Sequence, residues 1–330
     1  MNQSSRNMKQ WTWFSKFLLL CVTVITMVVL GGCGTSDQGQ GSDGKLKVVV
    51  SFNGMREFTA AVGGDKVDII TVIPDGTEPH DFELKPEDMK RIAKANVFVY
   101  NGLGMEPWAE QAIESAHNDK FIVVRASDGV SVITTEEEDS EPSYQEPTAT
   151  PMHGSGGGHG QGGNDPHTWL SLKNAVIEVT NIKNALVKAD PDNAAYYEKN
   201  YTEYIGKLNA LQDEYEQKFS TVPNKDFITG HAAFAYMCRD FGLRQQSVED
   251  VFAEGEPNAA QLAKLVEYVK HNYIRVIFAE QMASPEASQT LANEVGAKVE
   301  SIYTMESSED GKSYLERMSD NLAKIYGSMK

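Results

Sequence analysis

The 330-residue chain carries seven histidines, and three of them fall where a chain in an α/β fold can do chemistry. His80 lies in the turn-rich loop Pro74-Asp75-Gly76-Thr77-Glu78-Pro79-His80-Asp81-Phe82, which follows the β-branched run Val67–Ile73. His231 follows the apolar run Phe227-Ile228-Thr229 and one glycine. His167 sits in Asp165-Pro166-His167-Thr168-Trp169-Leu170, beyond the last strand-like run of the first half. Glu280 closes a fourth such run, Ile274–Ala279. Three imidazole nitrogens and one carboxylate oxygen form a set that suits Zn²⁺, which takes such ligands at about 2.0–2.2 Å in tetrahedral geometry. Imidazole also suits the neighbouring transition metals, whereas Mn²⁺ prefers more oxygen. A lone histidine is more often a surface or satisfied residue than a ligand. Two readings therefore stand on spacing alone: three unrelated polar side chains, or one cation site. His117 and His271 stand at helix ends among polar residues and read as surface groups.

The elements around these residues decide whether they can meet. From Lys47 the chain alternates strand and helix: Lys47–Phe52, Met55–Val62, Val67–Ile73, Pro86–Ala95, Val97–Tyr100, Pro107–Ala116 and Phe121–Val124. A helix over Leu172–Ala189 follows, and the alternation resumes at Phe227 and runs to a closing helix over Lys312–Tyr326. This rhythm predicts an α/β fold with mostly parallel sheets flanked by helices. The stretch 190–222 divides the two halves. Ala194, Tyr197, Tyr201, Tyr204, Leu208, Leu211, Tyr215 and Phe219 recur at three- and four-residue steps, one face of a helix. Asp190 is placed to cap it, Pro191 suits its first turn, and Pro223 stops it. Such a helix is about 45–50 Å long, so it reads as a rigid strut between two lobes, 46–189 and 223–330. Gly206 near its middle costs about 1 kcal/mol against alanine. The alternative is a long helix packed on one domain. Ligands in open α/β sheets bind outside the carboxyl ends of the strands. If both lobes turn those ends toward each other, His80, His167, His231 and Glu280 converge in the cleft.

The remaining segments read as attachments. Residues 134–164 lack periodicity, open on Glu136-Glu137-Glu138-Asp139 and end in a glycine-rich run that holds His153 and His159. A structureless insert of this length exceeds ordinary loops and is either functional or a spacer; an auxiliary metal-gathering role for His153 and His159 is one option. Residues 1–32 have a basic flank, an apolar run over Phe17–Leu30 and small residues at the end, the pattern of a secretory signal. The run is short of the roughly 20 residues that span a bilayer. Residues 33–45 read as a flexible tether. The net charge of −17 excludes a nucleic-acid partner, which needs a basic face. Of three cysteines only Cys238 lies within the folded part, among apolar residues, and reads as a buried small side chain. No His-Glu-x-x-His signature marks a hydrolase, although three protein ligands and a water would define one.

Two resemblances sharpen this reading. Leu30-Gly31-Gly32-Cys33 resembles the end of a bacterial lipoprotein signal, which implies cleavage before Cys33 and lipid on its sulfur. Thr77–Phe82, Asp165–Leu170, Gly230-His231-Ala232-Ala233-Phe234 and Phe278-Ala279-Glu280, in that order, resemble four motifs of the zinc-specific solute-binding lipoproteins of ABC-type metal importers. Glu256-Pro257 followed by Gln261-Leu262 also fits, and the similarity covers nearly all of the chain past the signal. The resemblance implies two α/β lobes joined by one rigid helix, with the metal between them. It implies His80, His167 and His231 as nitrogen ligands and Glu280 as the carboxylate. Relatives that prefer manganese usually have fewer histidines and a second carboxylate, so His231 points to zinc. A monomeric, lipid-anchored protein on the extracytoplasmic face of the cell membrane is expected, handing Zn²⁺ to a permease without catalysis. A manganese or other transition-metal binder and a surface adhesin on the same fold are the alternatives.

Overall fold

Val48, Val49 and Val50 have almost no exposed surface, as expected of a central parallel strand covered on both faces. They belong to β1 (Leu46–Val50), the start of a parallel sheet ordered β2-β1-β3-β4, with β2 at Val67–Thr71, β3 at Val97–Tyr100 and β4 at Ile122–Arg125. Helices α1 (Asn53–Gly63), α2 (Pro86–Ala93) and α3 (Ala109–Ser115) connect these strands. The computed structural model describes residues 44–118, 120–134, 163–251, 258–280, 285–308 and 310–330. The signal, most of the tether, Cys33, His153 and His159 lie outside them.

The second half repeats the plan. Its parallel sheet is ordered β6-β5-β7-β8, with β5 at Asp226–Thr229, β6 at Arg244–Ser247, β7 at Val276–Glu280 and β8 at Lys298–Ile302. In each sheet the first strand is flanked by the second and the third, so the strand order reverses beside it. Such a switch point leaves a crevice at the carboxyl ends, where loops diverge. Asn53 follows β1 at one crevice, and His231 follows β5 at the other.

Two long helices lie between the sheets in sequence. Helix α4 (Leu172–Ala189) starts at Ser171, whose hydroxyl oxygen accepts from the Asn174 amide at 3.0 Å, a side-chain N-cap. Helix α5 (Ala194–Phe219) has 26 residues and is about 39 Å long. It buries Tyr197, Leu208, Tyr215 and Phe219, the face that the periodicity marks, and packs on α4 and α1. Asp190 does not cap it. A single 3-10 turn, Pro191–Asn193, intervenes, and the Asp190 carboxylate instead accepts from Asn193 Nδ2 at 2.8 Å and the Tyr197 hydroxyl at 2.7 Å. The smaller helices of the second half are α6 (Ala235–Phe241), α7 (Ala259–His271) and α8 (Pro285–Val295).

The closing helix α9 (Tyr314–Ser328) returns to the first half. It packs on α1 and α5, with the Tyr314 ring 4.7 Å from Phe58. One continuous core therefore joins residues of both sheets, and a smaller cluster around Ile228, Leu265 and Ile277 fills the second sheet's other side. Thr134 and Asn164 form an isolated antiparallel bridge.

Candidate metal centre

His80, His167 and His231 meet. His167 Nε2 is 3.3 Å from His80 Nε2 and 3.4 Å from His231 Nε2. Two nitrogens that share one Zn²⁺ at 2.0–2.1 Å, at the tetrahedral angle, stand about 3.3–3.4 Å apart. The rings are thus at the spacing of ligands to a common ion. The fourth group of the cluster is Glu306; one ligand atom from each of the four lies within 4.8 Å of every other. His167 and His231 and Glu306 are buried, and His80 is partly so.

Each side chain is aimed by its local structure. His80 hangs from the loop after β2, where its amide donates to Glu78 Oε1 at 3.3 Å. His167 caps the short 3-10 turn Thr168–Leu170, and Asp165 Oδ1 accepts from both its amide and its Nδ1 at 2.8 Å. That contact leaves Nε2 as the free coordinating nitrogen and makes the ring more basic. Asp165 is itself held from the second half: the Tyr236 hydroxyl donates to its carbonyl at 2.7 Å. His231 sits at the β5 switch point, and its amide donates to Glu280 Oε1 at 3.3 Å.

Glu280, the carboxylate expected from the sequence, is not one of the four groups in that cluster. Its Oε1 lies 3.7 Å from His231 Nδ1, the nitrogen that points away from the cluster. It stands behind His231, while Glu306 is the carboxylate of the cluster. Glu306 follows β8 by four residues, in a loop that the sequence reading does not single out. Glu306 Oε2 accepts from the Thr304 hydroxyl at 2.7 Å, while Oε1 is buried with no hydrogen-bond donor among the described residues and lies 3.6 Å from His167 Nε2. A buried carboxylate oxygen without a donor is costly unless a cation meets it.

The electrostatics fit a cation. Burial lowers His80 to about 4, with the His167 charge adding to it, and burial lowers His231 to about 3. Both rings favour the neutral form at pH 7, the form that can bind a metal. Burial opposes charge on His167, but its bonds to Asp165 and its proximity to Glu306 win and hold it well above its ordinary value. Burial likewise opposes the Glu306 charge, and the facing histidines, His167 first, hold it below the usual carboxylate range. Burial raises Glu280 to about 8, and burial with the Glu306 charge raises Glu78 to about 7. Within the cluster the surroundings favour the charged forms of His167 and Glu306, whereas burial favours the neutral form of Glu280 behind it. His117 and His271 are exposed, and Cys238 is buried, as their sequence surroundings indicate.

Two parallel sheets bridged by a long helix, with three imidazoles and a carboxylate gathered from loops of both, define a metal-binding protein of the solute-binding class. Residues 48–328 match the family model described as zinc-uptake complex component A, periplasmic, and the chain belongs to that family. A protein of Treponema pallidum (strain Nichols) is 42% identical over 282 residues, which is 86% of each chain. The high-affinity zinc uptake system protein ZnuA of Bacillus subtilis (strain 168) is 37% identical over 324 residues, 96% of this chain and 98% of that one. The crystal structure of the Zn(II)-bound ZnuA-like domain of Streptococcus pneumoniae AdcA superposes with a TM-score of 0.71 at 32% identity, covering 87% of this chain and 99% of that one. The family consists of solute-binding proteins rather than enzymes, and it works outside the cytoplasm.

Proposed function

We propose that the protein captures Zn²⁺ outside the cytoplasm and hands it to the permease of an ABC importer. The reading rests on one observation above all, the mutual 3.3–3.4 Å spacing of the imidazole Nε2 atoms about His167. His80, His167 and His231 supply nitrogen, and Glu306 supplies oxygen. Glu280 and Asp165 orient His231 and His167 from behind. Three nitrogens and one oxygen favour Zn²⁺ over Mn²⁺. Four protein ligands close the coordination sphere, so no open position remains for a substrate; this supports carriage over hydrolysis. Cys33 carries the lipid that keeps a monomer at the membrane, and labelled palmitate should enter the wild type but not Cys33→Ala.

Titration calorimetry tests the site. His80→Ala, His167→Ala and His231→Ala should each weaken zinc binding by at least about 100-fold, since each removes a direct ligand and removal of a mere supporting group already costs 10–100-fold. Unchanged binding in any two of them contradicts the reading.

A further inference from the structure

Glu306 is carried by a loop that is bound less to its own sheet than to the opposite one. We infer that Asn53, in the crevice after β1, is the positioning residue that sets this loop and, through it, the Glu306 carboxylate. The inference rests on Glu306 as a zinc ligand. Asn53 is 1% exposed. Its Nδ2 donates to the carbonyls on either side of Glu306, at 3.4 Å to Met305 and 3.2 Å to Ser307. Its amide donates to the Glu306 carbonyl itself at 3.3 Å. One residue of the first half thus holds three consecutive carbonyls of the second.

The loop needs such a hold. Met305 has φ of 62°, in the left-handed region that side chains other than glycine rarely enter, and it is fully buried. A conformation of this kind persists only where its surroundings over-determine it. The surroundings here are mostly from the first half. The Trp169 indole donates to the Thr304 carbonyl at 2.7 Å, the Gly76 amide to Ser307 Oγ at 2.8 Å, and the Ser308 amide to Asp75 Oδ1 at 3.0 Å. Asp75 and Gly76 belong to the loop that carries His80, so two ligand-bearing loops from opposite sheets are tied together. Arg317 Nη1 adds a bond to the Ser307 carbonyl at 3.3 Å from α9. Asn53 is the residue that spans the strained position and its ligand neighbour together.

A double-mutant cycle on the full chain tests this, read by zinc affinity and by the visible spectrum of the Co²⁺-loaded protein. Asn53→Ala should weaken zinc binding about 10-fold, in the range for residues that support a ligand, and should reduce the intensity of the tetrahedral cobalt bands as water enters. In the Glu306→Gln background the same change should do neither. Equal losses in both backgrounds overturn the positioning role while leaving Glu306 a ligand. If Glu306→Gln alone changes neither affinity nor spectrum, the ligand assignment fails and the positioning role with it. Should Asn53→Ala not fold, Ser307→Ala, which removes the acceptor of the Gly76 amide, is read in the same cycle. Its smaller loss must also vanish beside Glu306→Gln, and a loss that persists there overturns the proposal.

Discussion

Asp165 and Glu306 outweigh the effect of burial on His167 and favour its protonated form. Zn²⁺ must displace that proton, whereas His80 and His231 are neutral until about pH 4 and 3. Zinc binding at pH 7 should therefore release at least about one proton. The sign follows: a proton held by His167 across neutral pH competes with the metal, so affinity rises with pH by about one log unit per unit between pH 6 and 8. Below about pH 4 the dependence should steepen as the other two rings charge. Calorimetry in buffers of different ionisation enthalpy counts the protons; a pH-independent affinity across that range contradicts the assignment. The two carboxylates separate by the same method. Glu306→Gln should cost more affinity than Glu280→Gln, since in the proposed site the first meets the ion and the second backs a ligand; the reverse order returns Glu280 to the ion. That the three histidines could meet was legible because His80 and His231 follow strand-like runs and a Pro- or Gly-containing turn, and His167 reopens the chain after the aperiodic segment. That Glu306 joins the cluster while Glu280 lies behind His231 was not, since one follows a strand, the other ends one, and the sequence does not say which way a side chain turns. Asn53 and the left-handed Met305 left no signal either, because a glycine would have marked that backbone and a methionine does not.

Helices with a clean apolar period were readable to within a residue or two. The helix expected over Leu172–Ala189 has those bounds. The first turn of the long helix was not readable, because Asp190 has two side-chain partners, Asn193 and Tyr197, that only the folded chain brings to it. Gly206 is the visible flaw in α5. A Cβ added there meets nothing within 4 Å, and the backbone is helical. Gly206→Ala should therefore stabilise the protein by about 0.5–1 kcal/mol through helix propensity and a less flexible unfolded chain. Urea unfolding monitored by circular dichroism checks this, with zinc affinity expected to stay the same. A loss of stability would mean that the exposed face of α5 is occupied.

The repeated strand order places a switch-point crevice in each sheet, and the continuous core with α9 folded back onto α1 ties the two sheets together. Such a tie should favour small loop adjustments over wide hinge closure when an ion binds. The alternation of strand and helix was enough to expect two parallel sheets; the return of α9 was not, since an amphipathic helix does not announce which sheet it will cover. The claim on which the function depends is that residues from both sheets hold one ion. A crystal structure of the protein loaded with zinc, with anomalous data on either side of the zinc edge, tests it most directly. A single peak should lie about 2.0–2.2 Å from Nε2 of His80, His167 and His231 and from a Glu306 oxygen. A zinc peak elsewhere, or one bound by fewer than three of those imidazoles, would contradict it.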